Sequence, residues 1–405
     1  MKVEHLLCVN GHNERIWCIA WSPTENIFAT CSADRKVKIW RFIKEDSVGV
    51  SHFCPLDPQN CGKEYKVELE FSIDNAFKKT VRSVKFSNDG KFLICASFDG
   101  TTSIWTRTYI RDSTGESTQN PTSHTGCKLV WKYVSILQGH ENEVKCAAFD
   151  PSGVYIATCG RDKTIWIYEK SRENVYGRGD LNTIEGSDSH MEYFCSAILS
   201  GHRHDVKYVC WNPSALLLAS ASYDNAVKLW TIKDNDWRCI QTLNLHSNTV
   251  WSLSFNFDGS LLASCSADKN LFIYESKVMK NFLDSNKIAK PQSLLWTVGP
   301  FSDPLTYKRS EASTYAPILA DDWEIKRSYN ELHSRPIYTL DFGDSILTGG
   351  GDNAIKIVKP DGKSEMLEIN GHTSDVNSVA WKPFDDREIF ASVGDDDCIR
   401  FWRLS

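Results

Sequence analysis

What this chain lacks narrows its class first. No apolar run approaches the roughly 20 residues that a membrane-spanning helix needs. The opening MKVEHLLCVNGHNER is too short in apolar residues for a signal peptide. No block of basic residues is present and the formal net charge is −6, which argues against a direct nucleic-acid partner. None of the 14 cysteines falls in a C-x-x-C pair, so the usual zinc and dithiol patterns are missing. Unpaired thiols and the absence of any proline-free N-x-[ST] sequon suit a reducing, cytosolic or nuclear address. There is also no phosphate-cradling glycine loop, no G-x-S-x-G and no H-E-x-x-H. The reading is therefore of a non-enzyme with no catalytic residue, metal ligand or cofactor assigned.

What is present is a repeat. Gly11-His12, then IWCIAWSP, then IFATCSADRKVKIW ending at Trp40 define a frame. It returns from Gly139-His140 to Tyr168, from Gly201-His202 to Trp230, from His246 to Tyr274 and from Gly371-His372 to Trp402. Two further copies, Thr80 to Trp105 and His333 to Val358, lack the Gly-His pair. In every copy an aspartate stands six residues before the closing position: Asp34, Asp99, Asp162, Asp224, Asp268, Asp352 and Asp396. Segments such as VWSLSF and VNSVAW, then LLASAS, then AVKLW read as strands separated by turns, and WRCIQTL supplies a fourth. A four-stranded unit cannot bury both faces alone, so the units must stack around an axis. The expected fold is all-β: one seven-bladed β-propeller of the WD40 type over residues 1–405.

The last copy stops at Ser405 without a fourth strand, while Val3 to Val9 form a strand-like run before the first copy. The N-terminal run is thus expected to complete the seventh blade and remove two sheet edges. Spacing between the aspartates is 65, 63, 62, 44, 84 and 44 residues. The excess over a bare repeat is placed between third and fourth strands, at 41–62, 108–126, 170–190 and 276–321, on the face opposite the Gly-His loops. DDWEIKRS, after the longest interval, reads as a delayed fourth strand rather than part of an eighth blade.

The recurring polar residues have a structural reading. In one copy His202 is expected to bond Asp224, with Ser220 or Ser222 and the Trp230 indole extending the chain. His12, Asp34, Trp40, His140, Asp162, His246, Asp268, His372, Asp396 and Trp402 take the same places elsewhere. Seven-fold recurrence favours cement over His-Asp-Ser catalysis. Cys31, Cys159 and Cys265 recur in ATCS, ATCG and ASCS, as small buried residues would. On the aspartate-turn face the candidates for binding a partner are Arg15, Lys79, Glu141, Glu143, Arg161, Arg203, Arg335 and Asp395. Arg161 stands out, because the matching residue in the other copies is Ala33, Phe98, Tyr223, Ala267, Gly351 or Asp395. An arginine fork there can pair with a partner's carboxylate.

GHENEVK (139–145), ATCGRDK (157–163) with Trp166, DVKYVCW (205–211), LLASASYDNAVKLW (217–230) and the run from DWRCIQTL to Ser252 resemble the WD40 protein of cytosolic iron–sulfur protein assembly. The similarity is densest over 139–274 and in frame elsewhere. Gly160 in place of serine, Tyr168 and Tyr274 in place of tryptophan, Val358 closing the sixth copy, and the four long intervals depart from that family's pattern. The resemblance implies a non-catalytic adaptor. It would join a small targeting subunit and a HEAT-repeat scaffold to cytosolic and nuclear apoproteins that receive iron–sulfur clusters. It also implies that Arg161, in the RDK turn, matters for function. Another interaction scaffold, such as a ubiquitin-ligase substrate receptor or an actin-nucleator subunit, is the alternative.

Overall fold

Short runs of β-branched, aromatic and aliphatic residues, each ended by a turn signal, fold locally as strands. A computed structural model shows how they assemble; it describes residues 2–45, 65–111, 127–171, 192–285, 322–362 and 366–405. The chain enters on β1 (Val3–Asn10). The first sheet holds β2 (Ile16–Trp21), β3 (Ile27–Ser32), β4 (Val37–Lys44) and β5 (Tyr65–Ile73). The second holds β6 (Val81–Phe86), β7 (Phe92–Ser97), β8 (Thr102–Arg111) and β9 (Cys127–Leu137). The third holds β10 (Val144–Phe149), β11 (Tyr155–Gly160), β12 (Ile165–Lys170) and β13 (Tyr193–Leu199). The fourth holds β14 (Val206–Trp211), β15 (Leu218–Ser222), β16 (Val227–Lys233) and β17 (Asp236–Leu243). The fifth holds β18 (Val250–Phe255), β19 (Leu261–Ser266), β20 (Leu271–Ser276) and, after helix α1 (Lys277–Ser285), β21 (Trp323–Tyr329). The sixth holds β22 (Ile337–Phe342), β23 (Ile346–Gly350), β24 (Ala354–Val358) and β25 (Leu367–Asn370).

The seventh sheet draws on both ends of the chain. β26 (Val376–Trp381), β27 (Ile389–Gly394) and β28 (Cys398–Leu404) are joined by β1, antiparallel to β28, with Val3 opposite Leu404 and Asn10 opposite Cys398. Backbone bonds between Lys2 and Ser405 in both directions, at 2.7 and 2.8 Å, extend the ladder by one pair. The expected N-terminal closing strand is therefore present. The first strands of successive sheets touch around a complete cycle, β2 to β6, β10, β14, β18, β22, β26 and back to β2. The architecture is a seven-bladed propeller.

Each blade is sandwiched between two others, so its second strand is buried on both faces. β3 and β19 are buried at every position. Small side chains let the sheets approach there, and Cys31, Cys159 and Cys265 have no exposed surface. Outer strands alternate or run exposed, as in β21, where only Trp323 is buried.

Most of 41–62, 108–126, 170–190 and 276–321 lies outside the described residues. At their edges the third strands continue further than the repeat frame suggests. Residues 41–44 and 108–111 belong to β4 and β8, because the fourth strand pairs with them (Arg41 opposite Glu68, Thr108 opposite Val130). A helix also opens the longest interval. Ser276 caps α1, accepting from the Met279 N–H at 3.1 Å and donating to Asp322 at 3.0 Å. Met279 is fully buried in a cluster with Tyr274 and Trp323.

Leu7 points inward from β1 and is 5% exposed, among Ile16, Trp40 and Phe401. Truncation to Leu7→Ala is expected to cost about 2–4 kcal/mol, read as a lower midpoint in chemical unfolding. A loss below about 0.5 kcal/mol would mean that β1 adds little to closure.

Candidate functional site

One face of the ring is organised by histidine. In six blades a histidine preceding the first strand bonds the turn aspartate through Nδ1 and a Ser or Thr hydroxyl of the second strand through Nε2. His12 meets Asp34 at 2.9 Å and Thr30 at 2.8 Å; His140 meets Asp162 at 2.6 Å and Thr158 at 2.8 Å. His202 meets Asp224 at 2.9 Å and Ser220 at 2.7 Å; His246 meets Asp268 at 2.9 Å and Ser264 at 2.7 Å. His333 meets Asp352 and Thr348, both at 2.8 Å, and His372 meets Asp396 at 2.9 Å and Ser392 at 2.7 Å. The indoles of Trp40, Trp230 and Trp402 donate to the same hydroxyls at 2.8–2.9 Å. His333 thus joins although no glycine precedes it. In the second blade, which has no such histidine, Asp99 keeps only the backbone bond seen in other blades, from the Lys78 N–H at 3.0 Å, the counterpart of Arg203 N–H to Asp224 at 2.8 Å.

Between the two serines weighed for His202, the structure selects Ser220. Ser222 instead accepts from the Asp224 N–H at 3.1 Å and donates to the Asp205 carbonyl at 2.9 Å. The Gly-His pairing also has a steric cause. A Cβ on Gly11, Gly201 or Gly371 would lie 2.3–2.9 Å from the Trp40, Trp230 or Trp402 indole. Gly139 does the same for Trp166, and its φ of 152° adds a second reason for glycine. Where the closing residue is Tyr274 or Val358, the position before histidine is Leu245 or Leu332.

These aspartates are acids under strong constraint. Burial alone would raise them, but the histidine bond and backbone N–H groups outweigh it, so Asp34, Asp162, Asp224, Asp268, Asp352 and Asp396 all lie below the ordinary range. Asp352 is held at about 2. A carboxyl with a depressed folded-state value contributes stability that is complete above the unfolded value of about 4 and is lost as pH falls toward the folded value.

The residues expected to bind a partner do not gather into one patch. Arg161 follows β11 with its side chain 59% exposed, and its Nη1 donates to Glu143 Oε1 at 3.1 Å and Oε2 at 3.4 Å. Its backbone N–H donates to the Glu143 carbonyl at 2.9 Å, fixing the turn from which the fork projects. Arg161 is therefore half-engaged rather than a free fork. Burial raises the Glu143 carboxyl, but its own N–H, Lys145 and Arg161 bring it below its usual value. Arg15 pairs with Asp395 at 3.3 Å, between the first and seventh blades. Lys79, Glu141, Arg203 and Arg335 are exposed on separate loops.

Sequence reasoning missed the residues at the mouth of the axial channel. The second residue of each first strand turns there: Trp17, Arg82, Lys145, Lys207, Trp251, Tyr338 and Asn377. All but Lys207 line one cavity on the axis. Arg82 lies 4.8 Å from the Trp17 ring, Lys145 4.1 Å from Phe98, and Lys207 5.1 Å from Trp251. Burial lowers Lys145 and Lys207 below the ordinary ammonium range, and Arg82 adds repulsion at both. Across the ring, burial raises Asp375 and Asp397, with repulsion from Asp395 at each. Charges of both signs alternate around the mouth: Lys207 lies 3.6 Å from Asp205, and Arg15 lies 3.3 Å from Asp395. Deeper in, Lys85 reaches past the third blade to the Val209 carbonyl at 3.2 Å, over the Tyr208 ring. The missed signal was a column in the repeat, the residue after the first apolar position of each copy. Among the described residues no group of three or more His, Cys, Asp or Glu is placed to hold a metal. No helix among them is long and apolar enough to cross a membrane.

The repeat pattern and the geometry define a WD propeller. The family model for the WD domain, G-beta repeat, matches residues 3–41, 70–106, 131–169, 193–231, 237–275 and 363–403, and the chain belongs to that family. The chain is similar to the probable cytosolic iron-sulfur protein assembly protein 1 of Candida albicans, 27% identical with 99% of this chain and 100% of that protein covered. The protein of the same description from Neurospora crassa is 27% identical over 77% of this chain and 79% of its own length. That of Chaetomium globosum is 28% identical over 68% of this chain, which spans 66% of its length.

The aspartates set an acid limit. Unfolding stability is expected to be flat from pH 7 to pH 5 and to fall below about pH 4. Asp224→Asn should shallow that fall while lowering stability at pH 7. A slope unchanged in Asp224→Asn would remove this carboxyl from the acid limit.

Proposed function

We propose that the protein is a non-catalytic adaptor of cytosolic iron–sulfur protein assembly, docking apoproteins that receive clusters as cargo. The observation that carries the proposal is the similarity, over nearly the whole chain, to a relative described as a cytosolic iron-sulfur assembly protein. The geometry is compatible with it. The same histidine–aspartate bond recurs in six blades with each histidine buried, which supports a structural rather than a catalytic role for these side chains. The loops they brace form a stiff rim of charged and aromatic side chains suited to protein recognition.

In this reading the working partners are a small targeting subunit, a HEAT-repeat scaffold and client apoproteins of the cytosol and nucleus. Arg161 contributes directly to capture: Nη1 is bonded to Glu143, and the exposed remainder of the guanidinium is free to meet a client carboxylate. Depleting the protein is expected to lower cluster occupancy in cytosolic and nuclear iron–sulfur enzymes while mitochondrial ones stay loaded. Unchanged occupancy, or co-purification with ubiquitin-ligase subunits in place of assembly factors, would overturn the proposal.

A surface pair such as Arg161–Glu143 contributes about 0–1 kcal/mol to folding. Arg161→Glu should therefore keep its melting temperature within a few degrees while client capture falls roughly tenfold or more. The double variant Arg161→Glu, Glu143→Arg restores an ion pair in reversed order and is expected to leave capture weak. Recovery in the double variant would mean that the pair matters only for local structure.

A further inference from the structure

Two blades carry cysteines at the same pair of facing positions. Cys18 on β2 stands directly opposite Cys31 on β3, and Cys146 on β10 stands directly opposite Cys159 on β11. Facing residues on antiparallel strands lie about 4.5–5.5 Å apart at Cα, within the window of about 4.4–6.8 Å that a disulfide spans. The two pairs differ in access. Cys18 is half-buried and lines the axial cavity beside Trp17 and Arg82, whereas Cys146 has no exposed surface and is not among the residues lining that cavity. Cys31 is fully buried, in the core between the first and second blades, so only Cys18 can meet a solute first.

We infer that Cys18 and Cys31 form a modification site, a cross-strand dithiol that hydrogen peroxide entering by the channel mouth converts to a disulfide. The Cys18 Sγ attacks one peroxide oxygen; the O–O bond breaks, a sulfenic acid forms, and the departing hydroxide takes the proton given up by the Cys18 thiol and becomes water. The Cys31 Sγ then attacks the Cys18 sulfur, the S–S bond forms, and hydroxide leaves with the Cys31 proton as a second water. Two thiols are oxidised by two electrons and the peroxide is reduced. The reactivities suit this order. The Cys31 thiol beside it, acting against burial and helped by Arg82 and Lys85, brings Cys18 down to about 6, while burial pushes Cys31 well up. The bond would close next to the irregularity between Ile16 and Cys18, where β2 presents Trp17 to the mouth.

The test treats the full chain with hydrogen peroxide, alkylates free thiols after denaturation and maps cysteines by mass spectrometry. The Cys18–Cys31 disulfide is expected to form at least about tenfold faster than Cys146–Cys159 and to be reversed by dithiothreitol. In Cys31→Ala, Cys18 should accumulate as a sulfenic acid that a dimedone probe captures. Four outcomes would each overturn the inference: both thiols remaining free, Cys18 over-oxidising in the wild-type chain without pairing, equal rates for the two pairs, or no dimedone adduct in Cys31→Ala.

Discussion

Everything in this ring depends on β1 pairing with β28. A propeller blade presents apolar faces to both neighbours, and an open ring would leave two of them in water. Here the two ends of the chain meet in one ladder running from Val3–Leu404 to Asn10–Cys398. Side chains from both ends then share a core, with Leu7, Ile16 and Trp40 beside Ile389, Ile399 and Phe401. A contact so distant in sequence is slow to form, because the chain between must be ordered first. Once made, it covers the edge of β28 that would otherwise stand open.

Closure alone would not give the rim a defined shape. The histidine–aspartate bonds do that, tying the loop before each first strand to the turn between second and third. Each bond fills a polar group that would otherwise be buried unsatisfied, at about 1–3 kcal/mol apiece. They also carry the turn residues Arg161 and Asp395 to fixed positions, where Glu143 and Arg15 meet them. The link from packing to function runs through these turns. A rim held from below can present charge without paying again to order its loops.

Much of this was legible beforehand. Seven aspartates at one place in a recurring frame gave the blade count, and a missing last strand beside a spare first one gave the closure. The histidine network was legible because its members recur, and even His333, which lacks the preceding glycine, obeys it. Other features were not legible because they depend on neighbours that only folding supplies. The glycine before histidine answers to an indole 29 to 31 residues away, or to Trp166 in the third blade. The mouth residues Trp17, Arg82, Lys145 and Lys207 occupy a column of mixed chemistry that no conserved-looking letter marks. The pairing of Arg161 with Glu143 needed the turn geometry, and α1 needed the cap from Ser276 and the socket beside Trp323.

The proposed adaptor is a ring locked by its own ends whose rim docks apoproteins. Hydrogen exchange measured on the chain alone and with a purified cytosolic iron–sulfur apoprotein tests it most directly. The β1 amides are expected to exchange only with global unfolding in both samples. Added protection in the complex is expected at Glu141–Lys145 and Arg161–Lys163. Fast local exchange of β1, or protection confined to outer strands such as β9 and β13, would contradict it.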